Sequence, residues 1–474
     1  MSIRQSLVRT AGAKYTEIVL GFISSVILAR LLTPEDFGIY SIAASIVLIG
    51  HMFRNFGVTQ YIIQAEKLTD DILRTSFSLT LLISWLIALA IGSTAHWVSG
   101  YYENPGLETA LLLLSINFWL LPFGAVPGAV LRRDMAFGKL AVITVCVAFV
   151  GFMVGITSAW MGGRYLSIVW ASNASTLTTI LLTLYFRPKR LPWLPGWKGV
   201  GEISRFGIKV GLLDLVNLSG NSATELMIGK SHGLHDVGLY SRAFGLFRLV
   251  ERVLIEAIYP VILPYLSEAK RQRASFGELY LKMLQYSSIL MLPVFAFVFL
   301  MAEPLVLTLY GNQWLAAVPI LEALALAGPL LVPTLFFDQL LIAHKRPGLA
   351  LRIQASFQAV RLGCLLMLLS GSLSTLAIAF VIGMGIKMAL VIHFSAKLFQ
   401  LQALDFAKTL APSLLSMFLV GLAVFVVDAL LPTQESIYLS LLLAMGIAAA
   451  AWLASIYLLK HPVAQEIDRL LKRA

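Results

Sequence analysis

Two arginines four residues apart, Arg248 and Arg252, interrupt a stretch otherwise rich in Leu, Phe and Val. With Ser241, Gly245 and Glu256 they recur at steps of three or four, which on an α-helix puts them on one face. The apolar stretch before it carries Asp214, Asn217, Asn221 and Glu225 at the same spacing, a second polar stripe. Guanidinium groups bind phosphate oxygens through paired N–H donors and stay charged at any working pH. Such a face could therefore hold an anionic head group while Asn side chains meet hydroxyls. The carboxylates Asp214, Glu225 and Glu256 could equally pair with the arginines as buried bridges, or couple transport to an ion, and both readings stay open.

Further polar residues interrupt other apolar runs. His51 and Arg54 share one helix face, Gln354, Gln358 and Arg361 another, and Lys387 stands near the middle of a third run. Together with Arg248 and Arg252 they suggest a cavity with excess positive charge, although snorkelling to an interface or helix-to-helix bonding would explain each one singly. Cys146 and Cys364 are far apart within apolar runs and read as small hydrophobes. No G-x-x-x-x-G-K-[ST], H-E-x-x-H, G-x-S-x-G or Cys/His cluster occurs, so no catalytic residue, metal or cofactor is expected. The Gly151 to Gly155 G-x-x-x-G match reads as close packing.

The elements that must position these residues follow from composition. The 474 residues are 58% hydrophobic and 13% charged, with a mean hydropathy of +0.84. That is too apolar for a water-soluble chain, and apolar runs of about 20 residues recur almost end to end. Backbone groups in hydrocarbon must be bonded internally, and no alternating strand pattern is present, so the runs are expected to be helices. The expected fold is an all-α polytopic membrane protein with about fourteen spans. They fall at 12–31, 38–60, 76–97, 107–130, 139–161, 165–186, 205–229, 238–265, 284–306, 315–342, 350–370, 374–396, 409–430 and 436–459.

The net charge of +11 reflects Lys and Arg collected in every second connection rather than a nucleic-acid surface. Examples are Arg132, Arg133 and Lys139, then Lys270, Arg271 and Arg273, and in the tail Lys460, Arg469, Lys472 and Arg473. In the opposite connections stand Arg30, Arg164 and Lys230. This bias predicts that both termini are cytoplasmic. The start, MSIRQSLVRTAGAKYTE, has no small-residue cleavage site and reads as the lead-in to the first span.

The chain also repeats itself. Asp36-Phe-Gly-Ile-Tyr-Ser41 matches Asp236-Val-Gly-Leu-Tyr-Ser241, with Ala43 matching Ala243 and Arg30 matching Lys230. Six spans separate the two, so both copies run in the same direction, the parallel repeat found in many transporters. Convergence of two glycine-containing turns is the alternative. Spans 13 and 14 lie outside the repeat as an appended hairpin.

With LARLLTPEDFGIYSIA (28–43), GLHDVGLYSRAFGL (233–246) and PLVLTLYGNQW (304–314), the chain resembles the polysaccharide transporter, or Wzx-like oligosaccharide flippase, branch of the multidrug/oligosaccharidyl-lipid/polysaccharide exporter superfamily. The resemblance implies two pseudo-symmetric six-helix lobes in a V around a central cavity, followed by a C-terminal helix pair. The corresponding divisions are 1–199, 200–400 and 401–474. It implies alternating-access transfer of an undecaprenyl-pyrophosphate-linked glycan across a bacterial inner membrane, for O-antigen, capsule or exopolysaccharide. The expected cavity residues are Arg248, Arg252, Arg54, Arg361, Lys387, Asn217 and Asn221. Expected partners are the lipid-linked glycan, the bilayer, and polymerase and chain-length machinery. Two other functions stay in view: a multidrug cation antiporter, for which Glu17, Asp214 and Glu225 could serve, and a membrane glycan polymerase or ligase.

Overall fold

The computed structural model describes residues 3–54, 58–187, 195–201, 203–204, 220, 222–255, 275–430 and 437–471. Among them the regular structure is entirely helical. Ten helices are long and apolar enough to cross a membrane, and an eleventh span is added if one sharply bent pair is taken together. Leu86, Leu89, Phe418 and Leu442 are more than half exposed along these helices, as side chains facing lipid would be.

Contacts divide the chain into two compact units, Met1–Ser241 and Arg242–Ala474. The first contains α1 (Ile3–Leu31), α2 (Pro34–Arg54), α3 (Val58–Gln64), α4 (Asp70–Tyr101), α5 (Pro105–Leu120), α6 (Pro122–Arg133), α7 (Phe137–Trp160) and α8 (Leu166–Tyr185). A helical stretch at 222–232 and the first turns of α9 (Leu234–Ile255) complete it. The second unit holds the rest of α9 and then α10 (Phe276–Leu300) and α11 (Ala302–Leu309). Short pieces follow as α12 (Val318–Ala325), α13 (Gly328–Leu331) and α14 (Phe337–Ala343). The chain finishes with α15 (Pro347–Met367), α16 (Leu373–Phe399), α17 (Ala403–Leu430), α18 (Ile437–Leu458) and α19 (Pro462–Leu471).

Two expected spans are not single rods. The run expected at 107–130 is bent by 52° between α5 and α6. Pro122, just after the bend, has no N–H to continue the hydrogen-bond ladder. The run expected at 315–342 is broken into 3-10 turns at Asn312–Ala317 and Val332–Thr334 with α12, α13 and α14 around them. Pro319, Pro329 and Pro333 remove amide donors, and Phe336 at φ +63° turns the backbone left-handed before α14 starts. The Tyr280 hydroxyl of α10 donates to the freed Pro333 carbonyl. The runs expected at 238–265 and 350–370 appear as α9 and α15, whose arginines and glutamines make them less apolar than the other spans. The expected 205–229 run lies mostly outside the described residues.

Helices in lipid gain little from apolar contact with one another, so packing and hydrogen bonds join them. Ser288 of α10 bonds Ser413 of α17 at 2.8 Å, and Ser416 of α17 bonds Ser455 of α18 at 2.6 Å. Pro293, inside α10, cannot donate to the Ile289 carbonyl one turn back. The Trp452 indole of α18 donates to that carbonyl instead, at 2.8 Å.

Candidate functional site

The start of α2 is fixed by its own sequence. Thr33 and Asp36 bond reciprocally: the Asp36 amide donates to Thr33 Oγ1 at 3.3 Å, and the Thr33 amide and hydroxyl donate to Asp36 Oδ2 at 3.1 and 2.8 Å. This is a capping box with Pro34 at the first helical position. The other Asp36 oxygen accepts from the Tyr165 amide at 3.3 Å and from Arg164 Nε at 3.3 Å.

The two copies of the repeated motif meet here. A methyl group on Gly38 would lie 1.7 Å from the Leu234 carbonyl oxygen, and one on Gly238 would lie 1.8 Å from the Pro34 carbonyl oxygen. Gly38 corresponds to Gly238 and Pro34 to Leu234, so the contact is reciprocal: each copy offers the same glycine to the same carbonyl of the other. Only the absence of Cβ lets the backbones come this close. Nearby, the Tyr102 hydroxyl donates to the Leu226 carbonyl at 3.0 Å, and Lys230 Nζ donates to the Tyr101 carbonyl at 2.9 Å while lying over the Tyr101 ring.

The expected site residues separate into three sets. Arg54, at the end of α2, lines a cavity of about 690 Å³ within the first unit, together with Glu17 of α1, Arg132 of α6, Thr144 of α7 and Ser175 and Thr179 of α8. Glu225 accepts the Ser45 hydroxyl of α2, which places this carboxylate in a helix-to-helix hydrogen bond. Asp214, Asn217, Asn221 and Glu256 lie outside the described residues.

The third set gathers in the second unit, where α9, α15 and α16 bring cations onto aromatic rings. The guanidinium groups of Arg248 and Arg361 each lie 5.9 Å from the centre of the Phe244 ring, and Arg361 is also 5.2 Å from that of Phe380. Lys387 Nζ is 5.7 Å from the Phe357 ring. These are cation–π distances, and the attraction is stronger where water is excluded. Arg361 is 2% exposed, whereas Arg248 is half exposed and only loosely paired with Glu251 at 3.8 Å. Arg252 is exposed on the same helix. Arg361 is therefore held in place, while Arg248 presents its charge to whatever occupies the space beside it.

Sequence reasoning overlooked the rings Phe244, Phe357 and Phe380, and also Asp338 of α14, whose Oδ2 lies 3.9 Å from Lys387 Nζ. The rings gave no signal, since Phe in an apolar run is expected. Asp338 was detectable as one of the two carboxylates, with Glu322, within the run expected at 315–342.

A family profile described as "Polysaccharide biosynthesis protein" matches residues 27–319, more than half of the chain. The chain belongs to the polysaccharide biosynthesis protein family. Within that family it is 26% identical over 315 residues to the succinoglycan biosynthesis transport protein ExoT of Rhizobium meliloti (strain 1021), covering 66% of this chain and 64% of ExoT. The match thus spans somewhat less than two thirds of that relative. It is 21% identical over 338 residues to the lipopolysaccharide biosynthesis protein WzxC of Escherichia coli (strain K12), covering 69% of this chain and 68% of WzxC. The fold is similar to that of the lipid II flippase MurJ in an inward closed conformation. The TM-score is 0.79 at 14% identity, over 94% of this chain and 98% of MurJ. The chain is a membrane protein of this polysaccharide biosynthesis family, and the expected resemblance is borne out at family level.

Proposed function

We propose that this protein flips an undecaprenyl-pyrophosphate-linked oligosaccharide from the inner to the outer leaflet of a bacterial inner membrane, by alternating access. The observation that carries the reading is the gathering of Arg248, Arg361 and Lys387 on three helices of the second unit, in a family devoted to polysaccharide biosynthesis. A pyrophosphate brings several anionic oxygens, which a half-exposed guanidinium can bind in pairs. The glycan would meet neutral polar groups, and the polyprenyl tail would stay in lipid. Ionisable side chains are costly within membrane-spanning segments, and those kept there mark substrate paths.

With both termini on the cytoplasmic side, as the Lys and Arg distribution predicts, the α1–α2 turn lies at the outer face. The Gly38–Leu234 and Gly238–Pro34 contacts then hold outer helix ends together, and release of the head group outward requires them to part. Binding energy favouring one arrangement over the other drives that change. No step calls for a cofactor, and none makes or breaks a covalent bond.

The test is depletion of the protein in its host, with lipid-linked oligosaccharide quantified on the cytoplasmic leaflet. Accumulation that wild type clears and the double variant Arg248→Ala/Arg252→Ala does not clear supports the reading. An unchanged lipid pool with raised sensitivity to cationic drugs replaces it with multidrug antiport.

A further inference from the structure

The Asp338–Lys387 pair is poorly made for a purely structural bridge. Charge-assisted N–H···O bonds settle at about 2.7–2.9 Å, yet the two groups stand 3.9 Å apart. The second carboxylate oxygen, Oδ1, is buried and has no hydrogen-bond partner among the described residues. A carboxylate in a membrane-spanning segment with half of its accepting capacity unused is expensive to keep as an anion. Asp338 also stands in the first turn of α14, directly after the break at Val332–Phe336, where Tyr280 ties down the Pro333 carbonyl. Interrupted spans of this kind are where transporters build small-ligand sites. The Asp338 side chain is 32% exposed and Lys387 13%, so part of the aspartate borders open space while Oδ1 and the ammonium are largely enclosed.

We propose that Asp338 is a proton-binding site that switches Lys387 between two partners, coupling transport to protons. This rests on the reading that the chain carries an anionic head group. In the resting pair Asp338 is a carboxylate and Lys387 an ammonium, with no net charge. One proton added to the free Oδ1 converts Asp338 to the neutral acid; Lys387 keeps its three protons and its charge, and the pair becomes +1. The released ammonium then faces a cargo oxyanion. Loss of the proton restores the pair and expels the anion, so one proton is exchanged per cargo. Of the elements packed against α14, α10 contributes Tyr280 and α16 contributes Lys387, both within electrostatic reach of Asp338. The charged groups of α15 are engaged elsewhere, Arg352 being exposed and Arg361 held at the Phe244 and Phe380 rings. Lys387 is the cation within ion-pairing distance of Asp338 among the described residues.

The experiment is infrared difference spectroscopy on the purified full-length protein in nanodiscs, stepped between about pH 9 and about pH 5. Wild type is expected to gain a protonated-carboxyl band that Asp338→Asn lacks, and Lys387→Gln is expected to move the pH at which that band appears. Identical spectra for wild type and Asp338→Asn overturn the site, as does a band indifferent to Lys387→Gln. In proteoliposomes containing a fluorescent polyprenyl-pyrophosphoryl sugar, a pH gradient should accelerate wild-type flipping several-fold and leave Asp338→Asn unaffected. A missing carboxyl band removes the proton site whatever the cargo. A band present without any wild-type movement of the pyrophosphoryl lipid removes the cargo reading, and the coupling with it.

Discussion

Gly38 lies so close to the Leu234 carbonyl that a single added methyl group would sit 1.7 Å from its oxygen. Backbone cannot move aside as the end of a flexible side chain can, so any Cβ at this position must separate the two helices.

Gly38→Ala and Gly238→Ala are therefore expected to have matching effects. Each should lower stability by about 1–3 kcal/mol, the usual cost of overpacking, and each should impair export. Thermal denaturation of purified protein and complementation of a depleted host measure the two. Gly245→Ala, on the same helix as Gly238 but with nothing within 4 Å of the added carbon, is the control and should unfold as wild type does. A wild-type melting temperature in Gly38→Ala would mean that the close contact does not exist in the membrane.

Asp36 and Arg164 form one ion pair with two unequal ends. Asp36 is 2% exposed and accepts from Thr33, Tyr165 and Arg164, whereas the Arg164 side chain is 65% exposed. Asp36→Ala should cost about 2 kcal/mol, since it removes a helix cap and with it the acceptor of the Thr33 and Tyr165 amides. Arg164→Ala should cost about 0.5 kcal/mol or less, as exposed ion pairs do. Chemical denaturation of both variants checks the ratio; equal losses would contradict it.

Arg248 and Arg361 share the Phe244 ring but not its surroundings. Arg361→Ala, at a site 2% exposed, should destabilise by about 2 kcal/mol or more and reduce the amount of folded protein. Arg248→Ala should leave folded protein at wild-type levels while export falls at least tenfold. Membrane abundance measured beside polysaccharide output separates the two, and the contrast fails if both arginines behave alike.

These partnerships mark the limit of what the sequence discloses. Apolar runs reveal the helices because hydrocarbon leaves the backbone no other solution, and the duplicated motif is visible as spelling. That Gly38 meets Leu234 rather than some other backbone is not, because a glycine records only that space is short, not what fills it. Arg361 was recognisable as a charge in an apolar run, but its hold on Phe244, more than a hundred residues away in the chain, depends on how α9 and α15 pack. The expected spans at 107–130 and 315–342 are present as apolar stretches, but the 52° bend in the first and the 3-10 breaks in the second fall at prolines that a reading by apolarity alone passes over.

His461 lies between α18 and α19 and is 2% exposed. Its Nδ1 accepts from the Val463 amide at 3.3 Å, so the neutral ring carries its proton on Nε2. Burial pushes its pKa below the ordinary imidazole value of 6.5. The folded state therefore binds fewer protons than the unfolded state between that lowered value and 6.5. Its contribution is complete above 6.5 and is lost as pH falls through the lowered value. Thermal stability should decline over this acidic window in wild type and become flatter in His461→Gln, measured by melting at a series of pH values. A slope unchanged by His461→Gln would assign the acid sensitivity to other groups.

The indole of Trp452, reaching across to the carbonyl that Pro293 leaves without a donor, limits how far this chain can be shortened. The last two spans lie outside the repeat expected from the sequence and on that ground alone would look dispensable. Yet a chain ending near residue 400 would turn a bare peptide oxygen and the Ser288 hydroxyl toward hydrocarbon, where no water can replace the lost partners. The α17–α18 pair thus supplies α10 with the donor that Pro293 lacks. A minimal transporter cut from this sequence would first need Pro293 replaced by a residue that can complete the α10 ladder itself.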